Sequence, residues 1–137
     1  MSKVVAIDFG TKRIGLAISD SSKSIAFALE TVSNNNIFNF LDNLLKNEKV
    51  VTFVIGNPVN LQNIENSIVA EISFFKKKLK NRFPKIDIVE IDERFTSVIA
   101  KQTIVNSGIS KSKRRNKSLV DKISATIILQ DFLEKLS

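Results

Sequence analysis

Val4-Val5-Ala6-Ile7-Asp8-Phe9-Gly10-Thr11-Lys12-Arg13-Ile14-Gly15 holds a strand, its stop and the start of a second strand. Val4 to Phe9 reads as a buried strand, because β-branched side chains suit a pleated surface covered on both faces. Gly10-Thr11-Lys12-Arg13 is the turn, and Ile14 to Ser19 returns as the second strand. Ile25 to Val32 adds a third, and the short spacings make the trio an antiparallel meander.

The pattern then changes period. Ser33 is placed to cap a helix with the stripe Ile37, Leu41, Leu44, Leu45. Val50 to Ile55 is a β-branched run that stops at Gly56-Asn57-Pro58. Ile64, Ile68, Ile72, Phe75 and Leu79 fall at helical spacing, and Pro84 separates that helix from a strand over Ile86 to Ile91. In that strand Ile86, Ile88 and either Val89 or Ile91 face cores. A further helix is expected from Thr96 to Gly108, then a basic loop from Ile109 to Ser118, then a last helix from Leu119 to Leu136. The order is β-β-β-α-β-α-β-α-α, an α/β domain over residues 1–137 without internal repeat or linker. Its sheet is five-stranded and mixed: the meander, with its first strand central, and two later strands parallel to that strand through right-handed crossovers.

Composition narrows the chemistry. A chain of 137 residues with 43% hydrophobic content can bury about two-thirds of its unfolded surface without disulfide or structural metal. With no Cys and no His, thiolate nucleophiles, imidazole bases and their metal sites are excluded. Catalysis would have to use carboxylates, Lys, Arg, hydroxyls or a hard cation. The net charge of +7 favours anionic partners, nucleic acid among them. No stretch approaches the ~20 apolar residues of a membrane span, and Met1 leads into an apolar run too short for a signal peptide. The expected location is the cytoplasm, with no membrane partner.

Three acids stand where the chain punctuates itself: Asp8 at the end of the first strand, Glu93 just past the last strand, and Asp121 near the start of the final helix. Open α/β sheets gather ligands beyond the carboxyl ends of their strands. Converging there, the three would make a carboxylate cluster suited to Mg²⁺ or Mn²⁺. Each has a plainer reading. Asp8 could be an ion-pair partner of Lys12 or Arg13, and Asp92-Glu93 could complement a helix dipole. Arg94 is either a phosphate clamp or the partner of Glu93. Asp121 shares the stripe of Ala125, Ile128 and Phe132, which sets it on the sheet-facing side of its helix. Among the basic runs, Lys76 to Arg82 reads as a solvated helix face. Lys111, Lys113, Arg114, Arg115 and Lys117 precede Asp121 directly and read as a substrate-binding loop.

Together these pieces resemble the YqgF/RuvX family, pre-16S rRNA nucleases also described as Holliday-junction-resolvase-like. The resemblance rests on Asp8-Phe9-Gly10-Thr11-Lys12-Arg13-Ile14-Gly15, Gly56-Asn57-Pro58-Val59-Asn60, Asp92-Glu93-Arg94-Phe95-Thr96 and Val120-Asp121-Lys122 running to Ile128-Leu129-Gln130. It implies an RNase H-like fold and a Mg²⁺-dependent site in which Asp8, Glu93 and Asp121 are catalytic. It also implies 5′-end processing of small-subunit rRNA during ribosome biogenesis, with ribosomal components nearby. Leu61-Gln62-Asn63 departs from the family's Met-Asp-Gly-like turn and leaves the acids untouched.

The leading expectation is therefore hydrolysis of a phosphodiester in precursor rRNA or branched DNA, with Lys12, Arg13 and Arg94 adding to the phosphate contacts. A noncatalytic RNA-binding assembly factor would keep the basic loop and tolerate loss of the acids. ATP hydrolysis ranks last: Asp8-Phe9-Gly10-Thr11 resembles a phosphate turn that needs a second domain.

Overall fold

The computed structural model describes residues 2–57, 66–92 and 117–136, with backbone alone at 57, 66–69, 92 and 117–121. Five strands are present among them: β1 (Lys3–Asp8), β2 (Arg13–Ser19), β3 (Ala26–Ser33), β4 (Val50–Asn57) and β5 (Asp87–Asp92). They form one sheet in the order β3-β2-β1-β4-β5. β1 is antiparallel to β2 and parallel to β4, and β4 is parallel to β5, so the expected mixed sheet with a central first strand is what the chain forms. The expected helix over Thr96 to Gly108 lies outside the described residues.

Side-chain alternation along β1 divides the core. Val5 and Ile7 join a cluster with Ile14, Leu16, Phe53 and Ile55, covered by α1 (Ile37–Asn47) through Ile37 and Leu41 and by α2 (Asn66–Arg82) through Phe75 and Leu79. Val4 and Ala6 point to the other face, where Ala17 and Val54 meet Ala125, Ile128, Leu129 and Leu133 of α3 (Lys117–Leu136). Because both faces of the central strands are covered, their middles are unbroken apolar runs, Val4 to Ile7 on β1 and Phe53 to Ile55 on β4, as in parallel sheets. On β5, Ile88 packs with the first cluster and Ile91 with the second, which decides for Ile91 between the two alternatives.

Several boundaries differ from the sequence reading. β1 stops at Asp8, and the Phe9 ring turns to meet Phe75, with centroids 5.0 Å apart. Ser33 makes no side-chain cap; Asn34–Asn36 forms a 3-10 turn ahead of α1 instead. The physical reason is tertiary. The Asn34 N–H donates to the Lys12 carbonyl at 2.9 Å, and its Nδ2 donates to the Gly10 carbonyl at 2.7 Å. These bonds bind the start of the turn to the β1–β2 connection. α3 begins at Lys117, so the last two residues of the expected basic loop are helical.

The direction of α3 follows from one residue. Gln130 Oε1 accepts the Ala26 N–H at 3.0 Å, and Gln130 Nε2 donates to the Ser24 carbonyl at 3.2 Å. Ala26 pairs with Ser19, and Ser19 Oγ accepts the Val4 N–H at 2.8 Å, so Gln130 sits at the amino end of β1. Leu133, Glu134 and Leu136 lie beside Ser22, Lys23 and Ser24, and Ala125 joins Ala6 and Val54 in one cluster, so the helix runs back along β1 toward Asp8. Replacing Gln130 by Ala is expected to cost about 1 kcal/mol, the net worth of an intramolecular hydrogen bond whose Ala26 donor can rehydrate. Urea denaturation should show that loss as a lower midpoint with an unchanged slope.

Candidate nuclease site

Asp8 ends a strand whose preceding four residues are fully buried, and is itself partly buried. Alternation gives it the face of Val4 and Ala6, the face that α3 covers. Its neighbours across the sheet are both glycine. Gly15 is its ladder partner on β2, and Gly56 stands one step beyond the Ile7–Ile55 pair on β4. Neither brings a side chain against the carboxylate. Gly56 pairs in turn with Ile91 of β5, which puts Asp8, Gly56 and Ile91 in one row. At the usual inter-strand spacing, Asp8 and Ile91 lie about 10 Å apart across that row.

α3 brings Asp121 to the same level. Asp121 precedes Gln130 by nine residues, roughly 13.5 Å of helix axis. Val4 to Asp8 rises about 13 Å along β1 in the opposite sense. With Gln130 fixed at the amino end of β1, the backbone of Asp121 therefore reaches the carboxyl end, one helical turn before buried Ala125. Glu93 lies outside the described residues, as do Arg94, Lys111, Lys113, Arg114 and Arg115. Lys117 opens α3.

The β1–β2 turn is held tightly. A Cβ on Gly10 would collide with the Arg13 carbonyl oxygen, so the glycine is required by the turn's own backbone, where the sequence suggested approach to a ligand. Lys12 is exposed on this turn, and partly buried Arg13 begins β2 opposite Ser33. Both sit one short turn from Asp8 in sequence. The sequence reading missed Asn34, which clamps this turn. Its only signal was the run Asn34-Asn35-Asn36 at a position where a helix start was already expected.

On the helix that follows β4, the lysine run is less uniform than a solvated face. Lys76 forms an ion pair with Glu90 of β5, and Arg82 pairs with Asp42 of α1, its Nε 3.1 Å from Oδ1. Hydrogen bonding from Arg82 holds the Asp42 carboxyl below its ordinary range. Exposed pairs of this kind add little stability.

Asp8 supplies carboxylate oxygen, the donor that a hard divalent cation takes, and the described residues alone form no group of three metal-ligating side chains. A five-stranded mixed sheet in this order, with an acid closing the central strand and helices on both faces, is the RNase H-like fold. T. thermophilus RuvC in complex with a Holliday junction substrate shares it, with a TM-score of 0.61 at 14% identity over 100% of this chain and 97% of that one. The chain belongs to the RuvX family, described as Holliday junction resolvase, whose pattern matches residues 2–135. A Bacteroides fragilis relative is 45% identical over 134 residues, covering 98% of this chain and 97% of its own, and bears the name "Putative pre-16S rRNA nuclease". A Christiangramia forsetii protein of the same name is 42% identical over 133 residues, 97% of this chain and 98% of its own.

Proposed function

We propose that the protein is a metal-dependent nuclease that hydrolyses a phosphodiester bond in precursor small-subunit rRNA, with Asp8, Glu93 and Asp121 as the catalytic, metal-holding acids. The observation that supports this reading is the course of α3, which runs back along β1 from Gln130 and carries the Asp121 backbone toward the Asp8 end. Glu93, next in sequence after Asp92, completes the set as the family resemblance implies. Bound by these acids, Mg²⁺ or Mn²⁺ would supply Lewis-acid polarisation of the phosphate and a water of lowered pKa, so a chain without His needs no imidazole base.

The rest of the work falls to the chain. Lys12, Arg13 and Arg94 are placed in sequence beside the acids to orient the phosphate. Lys111, Lys113, Arg114, Arg115 and Lys117 supply the wider backbone contacts. The net charge of +7 draws the polyanion in. The naming of relatives at above 40% identity supports RNA as substrate and ribosome assembly as the setting, and a cytoplasmic location beside ribosomal components goes with that reading. No helix among the described residues is long and apolar enough to cross a membrane.

The test is a cleavage assay on a precursor rRNA fragment and a four-way DNA junction, with and without Mg²⁺. Metal-dependent cutting of the RNA is expected. Cutting of the junction alone would move the substrate to branched DNA, and equal cutting without metal would sink the cation reading. Binding separates from chemistry in the same system. Replacing Arg114 and Arg115 by Ala should weaken RNA binding and flatten its salt dependence, by about 0.7 to 0.9 in log–log slope for each phosphate that is no longer neutralised. Asp121→Asn should retain RNA and fail to cut it.

A further inference from the structure

Just past Asp8, on the opposite side of the sheet edge from α3, a cleft of about 350 Å³ opens between the β1–β2 turn, the start of α1 and α2. Its floor is aromatic. Phe9 and Phe38 both lie against Phe75, at centroid distances of 5.0 and 5.7 Å. Its rim carries Phe74, 60% exposed on α2 although the helix buries Phe75 beside it. Lys78 Nζ stands over the Phe74 ring, 4.6 Å from the centroid. Exposed Asn35 and Glu71 complete the wall with an amide and a carboxylate.

Aromatic surface beside a cation is the composition that proteins use to hold single-stranded nucleic acid: bases stack on rings, and the ammonium meets the accompanying phosphate. A large aromatic left exposed on a cleft that includes Phe9, the residue after the strand-end acid, suits, on a chain of net charge +7, a flat apolar ligand that arrives on a polyanion. Phe9 directly follows Asp8, so the cleft lies within a nucleotide's reach of the acid row. Glu71 and Asn35 can accept from and donate to the edge of a base that has left its stack. We propose that this cleft holds an unstacked nucleobase of the substrate strand, flanking the bond to be cut. The proposal deepens the nuclease reading and rests on it for the identity of that strand.

The chain has no Trp and no Tyr, so Phe74→Trp would install a single strong fluorophore on the rim. Binding is measured with a short single-stranded RNA in the absence of divalent metal, which keeps the result independent of cleavage. The expected result is quenching of the indole fluorescence of the Phe74→Trp variant by the RNA, and none by an abasic ribose-phosphate oligomer of equal charge. Phe74→Ala should weaken RNA binding about tenfold, the worth of one stacked base, and hardly change affinity for the abasic oligomer. Thermal unfolding of both variants checks that an exposed position has been changed without loss of fold. Equal quenching by both oligomers, or wild-type RNA affinity in Phe74→Ala, would overturn the base pocket. Should the pocket hold while the native protein cuts no RNA with Mg²⁺, the nuclease reading alone would fall.

Discussion

Asp8→Asn is expected to lower metal-dependent cleavage by about a thousandfold or more, because several kcal/mol of transition-state stabilisation pass through the cation site. The substitution keeps size and removes charge. Under the proposed assignment three acids share one place and repel each other when no cation is bound. Relieving that repulsion should leave the metal-free protein as stable as before, or more so, while the gain in unfolding temperature on adding Mg²⁺ shrinks. Activity and thermal unfolding, each with and without Mg²⁺, check both halves. A large loss of metal-free stability would instead make Asp8 a structural ion-pair partner, the plainer reading of its sequence.

Phe53→Ala should produce the largest change in stability, about 3–5 kcal/mol. Phe53 is fully buried on β4 beneath α1 and α2, and its ring meets Phe83 edge-on at 5.8 Å. Truncation removes apolar packing and leaves a cavity that rigid neighbouring strands cannot close. Because β4 lies between the strands that end at Asp8 and Asp92, the damage should reach the site. Denaturant unfolding gives the energy, and the Mg²⁺-induced stabilisation should fall with it. Phe53→Leu, which restores most of the volume, should recover most of both.

Most of the sheet was legible because periodicity and turn residues speak directly to it. Val50 to Ile55 and Ile86 to Ile91 carry the runs of covered parallel strands, and Gly56 and Pro84 mark where they stop or start. What failed had a tertiary cause. Ser33 carries the right chemistry for a cap, yet Asn34 is bound to Gly10 and Lys12 across the fold, and the chain enters α1 through a 3-10 turn. Gly10 was read for a ligand, although its constraint is the Arg13 carbonyl. The spacing that buried Phe75 implied that Phe74 points outward, but no local pattern could tell that it would rim a cleft beside Asp8. For the candidate site, Asp8 and the level of Asp121 could be followed through strand register and helix direction. Glu93 and the basic run Lys111 to Arg115 remain readings of sequence and resemblance.

The antiparallel course of α3 along β1 has a consequence for timing during synthesis. Everything needed for the sheet precedes α3 in the chain, and the first face can close with α1 and α2 alone. Among the described residues, the second face, with Val4, Ala6, Ala17 and Val54, gains its helical cover only when residues 117–136 emerge and dock. A nascent chain at that stage has Asp8 in place and lacks Asp121. Under the proposed assignment, such a chain is an unarmed nuclease. An enzyme made on ribosomes, and directed at the RNA from which ribosomes are built, would thus gain its cutting power only after its final described helix has been translated.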